Sequence, residues 1–448
     1  MARNVESLGV GPARKPQSFV RVRTGLSLRV LLKRAAYTVL FFFCVYPFSV
    51  NGLSVNYTFL LLPVVLALLQ GRVRYPGDML MLAIAFYTLV FFVAALYQID
   101  FATQTVRRFS SFAIFMSMFS YAFITIDANK AAAFKIALVA ISVYLSIESA
   151  YVLLDAEAVR AIGFEAKDLV GSQRFGFIYL TAFWLVYLDK QQKALLGVAR
   201  YPIMIVLLAG LLLTFSRSSI VALLATYAMF IIVRHGSWLT HLSVRAVLSA
   251  MATVIGGAVI IGVLFWIFPL AFDFFNVRLF SFLSSEQTVV DALSDSSTSE
   301  GTRVLIASQV LEFVARNPLT GAGYLGVWVM QDLPAGSAHG QYVDVLFRTG
   351  FMGLFLYGSI ILGLMRYLWR AEEAMFWGVM SVLVYGLFHE TFKESQGAFV
   401  LAFLVGLMAQ SWRDRRHARL ASSAEMSSPP AAAGTLTYAQ PTTGAGDS

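Results

Sequence analysis

Cysteine is almost missing from this chain of 448 residues: Cys44 stands alone, inside an apolar run. A single cysteine builds neither a disulfide framework nor a thiolate metal site. Charge is scarce as well. Asp, Glu, Lys and Arg make up 13% of the residues while 58% are hydrophobic, and the mean hydropathy is +0.72. Soluble globular chains carry about 25% charged and roughly 45–50% apolar residues, so this balance is that of an integral membrane protein. There is no GxxxxGK[ST] loop, which excludes ATP hydrolysis at such a loop. No cleavable leader is expected either, since residues 1–34 are polar and basic without a small-residue cleavage site.

What is present is a series of long, unbroken apolar runs. A β-barrel would hide its apolar residues in short alternating segments. Long runs mean helices, each needing about 20 apolar residues to cross the hydrocarbon core. The expected class is an all-α polytopic membrane protein of about twelve spans, near 35–50, 56–70, 79–97, 107–126, 131–154, 175–188, 195–214, 219–234, 247–269, 345–368, 374–389 and 397–412. Pro47, Pro63 and Pro202 predict kinks. No internal repeat is visible.

The net charge of +9 suits nucleic acid in a soluble protein, but in a membrane protein it reports basic cytoplasmic loops. With the N-terminus inside, the cytoplasmic face receives the basic tail, Arg72, Arg74, Lys130, Lys135, Lys190, Lys193, Arg200, Arg234, Arg245, Arg366, Arg370 and the cluster from Arg413 to Arg419. That is most of the Lys and Arg, so both termini are expected in the cytoplasm. The expected organisation is a basic cytoplasmic tail (1–34), spans one to nine (35–269), an outer loop (270–344), spans ten to twelve (345–412) and a disordered cytoplasmic tail (413–448). Within the outer loop, "LSDSSTSEG" is a flexible polar stretch. "TRVLIASQVLEFVARNPL" then reads as an amphipathic helix stopped by Asn317–Pro318.

The outer side holds cations that run against the usual bias. Arg217 lies in "LLLTFSRSSIVALL", Arg303 starts the amphipathic helix, and Arg174, Arg107 and Arg108 lie at outer helix ends. His389, Glu390 and Lys393 follow in "HETFKES". Each arginine has a plain reading, snorkelling or pairing with a loop carboxylate. Together they suit an anionic ligand, and the planar guanidinium fork matches phosphate. A lipid-linked diphosphate would bring two phosphates to that depth. His339, in "SAHGQYVDVLFRTG", is either a hydrogen-bonded interfacial histidine or a general base. Its place before a helix disfavours the imidazolium, and Gly336 and Gly340 leave room beside it.

Other patterns carry less. "GAGYLG" matches GxGxxG but follows Asn-Pro in a loop, without the strand and helix a dinucleotide fingerprint needs. At best its amides would approach a phosphate. His339 with His389 and Glu390 lacks diagnostic ligand spacing, so no metal is expected. Glu148 is a lone carboxylate within a span.

Three stretches, "LLLTFSRSSIVALL", "RVLIASQVLEFVARNPLTGAGYLGVW" and "SAHGQYVDVLFRTGFMGLFLYG", resemble the O-antigen ligase and polymerase superfamily. They contain, in order, its Ser-Arg before a span, its Asn-Pro-Leu-x-Gly-x-Gly after a helix, and its Ala-His followed by a helix and Gly-x-x-Gly. Two features depart from the pattern. Gly340 stands where Asn or Ser often follows the histidine, and the Arg174 stretch lacks a common Asn. The single large outer loop resembles the ligases more than the polymerases.

The resemblance implies a GT-C-like architecture and a multi-pass enzyme of the bacterial inner membrane whose site faces the periplasm. The implied reaction is inverting, metal-independent transfer of O-antigen from undecaprenyl diphosphate to a hydroxyl of lipid A–core, with no cofactor. His339 would be the base and Arg217 and Arg303 would hold the diphosphate. Arg174, Arg107, Arg108, Tyr342 and Glu390 would be further contacts. The expected partners are the lipid-linked donor, lipid A–core and membrane lipid, not nucleic acid. A polymerase, whose acceptor is another lipid-linked repeat, and a lipid-linked glycan transporter remain as alternatives. The second would call for two related halves and midplane ion-coupling charges.

Overall fold

The computed structural model describes residues 27–46, 49–50, 53–54, 126–154, 175–214, 216–235, 299–322, 340–391 and 395–427, with residues 62, 65, 69, 71 and 262. In order these form α1 (Leu28–Val45), β1 (Ser49–Val50), β2 (Leu53–Ser54), α2 (Ala128–Leu154), α3 (Gly176–Leu188), α4 (Lys190–Leu196), α5 (Arg200–Leu213), α6 (Arg217–His235), α7 (Ser299–Arg316), α8 (Gln341–Ala371), α9 (Glu373–Tyr385) and α10 (Ser395–Ser427). Apart from the two-residue antiparallel ladder of β1 and β2, the described elements are helical. The expected spans near 79–97, 107–126 and 247–269, and nearly all of 56–70, lie outside the described residues.

Helix ends follow local chemistry. α1 begins at Leu28 and stops at Val45, where Tyr46 turns extended ahead of Pro47, so that proline ends a helix rather than kinking one. Asp189 caps α4 by accepting from the Gln192 amide at 2.9 Å. Gly197, at φ 53°, closes α4 in the left-handed region. A single 3₁₀ turn then leads into α5, and Pro202 sits in the first turn of α5, where its missing N–H costs nothing. α10 runs on through Arg413, Arg415 and Arg416 to Ser427, well past residue 412, since arginine is a good helix former once clear of the apolar run.

α3 is the central helix. Every residue from Gly176 to Val186 is buried, as expected of a helix that is apolar all round. It packs on α9, α5 and α2. Trp184 lies 5.8 Å from the Trp377 ring and donates its indole N–H to Ser381 Oγ at 2.7 Å. Small residues bring backbones together: Gly378 lies against Thr181, and Gly210 against Ser146 and Tyr179. Hydroxyls inside the bundle donate back one turn, as Thr181 does to Phe177 O and Ser142 to Leu138 O.

Among the described residues, four helices are long and apolar enough to cross a membrane: Ala128–Val152, Lys190–Leu213 (α4 and α5 together), Arg217–Arg234 and Gln341–Ala371. Gly176–Leu188 and Glu373–Tyr385 are shorter apolar helices. Side chains such as Leu362 and Phe355 point outward at 72% and 73% exposure, an apolar exterior that suits lipid. The chain is a multi-pass membrane protein.

The bundle has two chemically different ends. At one, Lys33 pairs with Asp127 at 3.0 Å, and Lys135 reaches Asp189 at 2.8 Å and Glu372 at 2.6 Å. Arg234 lies 3.7 Å from Glu373 at the same end. These contacts join the starts of α1, α2 and α9 to the ends of α3, α6 and α8. The Asp127 carboxyl is held below its ordinary value: burial alone would raise it, but the Lys130 amide and the Lys33 ammonium outweigh burial. At the opposite end lie the starts of α3, α6 and α8 and the end of α9.

Candidate functional site

The site end is built from four helix termini. α6 begins at Arg217, and the hydroxyls around it explain the polar knot. Thr214 Oγ1 donates to Leu211 O at 2.7 Å, closing α5. Ser216 caps α6, its hydroxyl accepting from the Ser219 amide at 3.4 Å and lying 2.9 Å from Ser218 Oγ. Ser219 Oγ donates to Ser216 O at 2.8 Å. Arg217 is therefore the first helical residue after a tight hydroxyl-capped corner, half-buried where two apolar helices meet.

Ser219 brings α6 against α3 and α9. A Cβ on Gly176 would lie 3.1 Å from Ser219 Cβ and 3.0 Å from the Tyr385 hydroxyl, so only glycine fits between them comfortably. Tyr385 is fully buried, and its ring stacks on His389 at 4.5 Å and 21°. One buried ring thus lies against the start of α3 and against His389, in the turn after α9 that also carries the half-buried Glu390. Arg174 immediately precedes this start of α3 but lies outside the described residues, as do Arg107, Arg108 and Lys393.

α8 enters the same end. Gly340 is extended, the Gln341 amide donates to Gly386 O at 2.7 Å, and Tyr342 donates its hydroxyl proton to Leu383 O at 2.7 Å. A Cβ at position 340 would sit 3.1 Å from the Leu387 carbonyl. That close approach is a physical reason for glycine where the superfamily pattern often has Asn or Ser. His339, the residue before it, lies outside the described residues. One turn on, the Arg348 Nε–H forks over both Asp344 oxygens at 2.8 Å, with both residues 3% exposed.

α7 carries Arg303 in its N-terminal half, and its side chain lies outside the described ones. Ile306, Val310 and Val314 of α7 join Ala322 and Phe347 in a small core separate from the main one. The first glycine of "GAGYLG", Gly321, has φ 62° and packs against Phe347 O at a backbone junction with α8, while residues 323–326 lie outside the described residues. Among the described residues no group of His, Cys, Asp and Glu comes together as a metal site.

The start of α6, which carries Arg217, and the turn after α9, which carries His389 and Glu390, lie at the same end of the bundle as the start of α8 with Tyr342. Tyr385, Ser219 and the Asp344–Arg348 pair escaped sequence reading. Only the last left a signal there: two opposite charges four apart in an apolar helix are expected to pair.

Comparison with known proteins adds one match. Residues 202–358, a stretch that contains Arg217, Arg303 and His339, match the family model described as O-antigen ligase. No curated protein matches the chain.

Proposed function

We propose that this membrane-embedded O-antigen ligase domain transfers a finished O-antigen glycan from undecaprenyl diphosphate to a sugar hydroxyl of lipid A–core. The observation that carries the reading is the matched segment itself, which holds all three residues chosen for their chemistry. The gathering of the Arg217 corner and the start of α8 at one end of the bundle supports it. The basic end, with Lys33, Lys135 and Arg234, is read as cytoplasmic, which turns the site end towards the periplasm of an inner-membrane protein with about twelve spans.

The acceptor hydroxyl attacks the anomeric carbon while its proton passes to His339. The bond from that carbon to the phosphate oxygen breaks, and undecaprenyl diphosphate leaves with the electron pair. Diphosphate is already a competent leaving group, so neither nucleotide nor cofactor enters. A positioned base contributes about 10²–10⁴-fold. Arg217 and Arg303 stabilise charge growing on the leaving oxygen. Arg107, Arg108, Arg174 and Glu390 are proposed as further donor contacts. Tyr342 commits its proton to Leu383 O, so it contributes as part of the wall that ties α8 to α9. A single displacement inverts the anomeric carbon and leaves no covalent enzyme intermediate.

The test uses purified protein in detergent with lipid-linked glycan and, side by side, lipid A–core or a second lipid-linked repeat. Product on lipid A–core, abolished in His339→Ala at equal protein abundance, is expected. Product only on the second repeat makes the protein a polymerase. Movement of glycan across sealed vesicles without product in detergent makes it a transporter.

A further inference from the structure

α8 is broken inside its apolar run. Gly350 has φ 63° and ψ −168°, which interrupts the helix between a first half at 341–349 and the long remainder. A break at this depth strands backbone groups unless protein satisfies them. The segment after α7 does so. Phe351 N–H donates to Pro318 O at 2.8 Å, and Phe347 O accepts from the Ala322 amide at 2.6 Å. The helical bond that would join Phe351 to Phe347 is thus replaced by two bonds to residues 318–322. Both glycines are required by contact as well as by φ. A Cβ on Gly350 would lie 2.5 Å from Leu319 O and Pro318 O, and one on Gly321 would overlap Phe347 O and lie 2.7 Å from the Gly350 nitrogen. These obstacles are backbone atoms and cannot rotate away.

We infer that Gly321 and Gly350 are positioning residues: the joint they form sets the register of the Arg303-bearing helix against the half-helix that follows His339. The inference rests on the roles given to Arg303 and His339 above. Apolar contacts of α7 choose which face meets α8 but are non-directional. Among the described residues, the two hydrogen bonds are the directional contacts that fix where α7 lies along α8. A slip of one residue moves Arg303 by about 1.5 Å, and a misplacement of about 1 Å can cost 10²-fold in rate. The half-helix keeps a second attachment, because Val345 belongs to the main core while Phe347 belongs to the α7 core. Loss of the joint therefore loosens α7 and leaves the bundle standing.

The test compares Gly321→Ala and Gly350→Ala with Gly197→Ala in the full chain. Gly197 also has positive φ (53°) but open space around it, so it controls for strain alone. Turnover per folded molecule should fall by about 10²-fold in the first two and stay near wild type in the control, with donor KM within about threefold, while amides 304–316 exchange faster and those of α2 are unchanged. A merely structural role would reduce the amount of folded protein and leave kcat per folded molecule intact. Normal kcat in both variants while His339→Ala is inactive overturns this inference and spares the functional reading. Equal losses in Gly197→Ala also overturn it. Normal turnover in His339→Ala fells the reading and this inference together.

Discussion

Replacing Lys135 by Met removes one charge from the basic end of the bundle and keeps most of the stem. The ammonium sits between Asp189 at 2.8 Å and Glu372 at 2.6 Å, with side-chain exposures of 10%, 7% and 28% respectively. Without it, two carboxylates face each other with no cation between them. Breaking a buried ionic group by removing one partner costs about 3–5 kcal/mol, whereas replacing the whole group by neutral residues of similar shape is often near neutral. Lys135→Met should therefore destabilise the protein by about 3–5 kcal/mol. The triple variant with Asp189→Asn and Glu372→Gln should return to within about 1 kcal/mol of wild type, because Asn still caps α4. The assay is unfolding in mixed micelles by SDS titration, followed by tryptophan fluorescence. Turnover per folded molecule should not change in either variant, since this tie lies at the far end from Arg217. A single variant within about 0.5 kcal/mol of wild type would rank the tie with exposed ion pairs. A triple variant as unstable as the single one would show that uncompensated charge is not the cause. Either result refutes the reasoning.

Arg217→Lys should lose about 10²-fold or more in kcat at normal abundance, since a point charge does not reproduce the guanidinium fork; donor titrations with the purified variant check this. The Asp127 carboxyl is depressed in the fold, so its contribution to stability is present above its unfolded pKa and is lost as pH falls through the lower folded value. Asp127→Asn should flatten the pH dependence across that acidic window, lowering stability at neutral pH and converging on wild type below the folded value, as measured by unfolding at several pH values. Gly210→Ala places a methyl group onto Ser146 Oγ and 2.6 Å from Tyr179 Cε1. It should cost about 1–3 kcal/mol, and Ser146→Gly in the same chain should recover part of that loss.

The apolar runs determined that the chain is helical and membrane-embedded, because lipid offers backbone groups no partner and each run must satisfy its own. The Arg217 corner with its hydroxyls was legible as a polar knot between two apolar runs, because capping and turn chemistry act within a few residues. The helix ends before Pro47 and at Gly197 fell inside runs read as continuous spans, with a kink expected at Pro47. The break at Gly350 was not legible either, and 345–368 read as one continuous span. Its lost helical bonds are supplied by residues 318–322, and nothing inside the run announces that donor. Nor was the choice of partner for Lys135 legible, with Asp189 lying 54 residues away and Glu372 237. Tyr385 looked like any apolar-helix aromatic until packing set it between Gly176 and His389. Hydrophobicity and backbone satisfaction are local properties written in the order of residues. Which helix ends meet, and which charges and carbonyls find each other, depends on close packing between distant segments, and only the folded chain decided it.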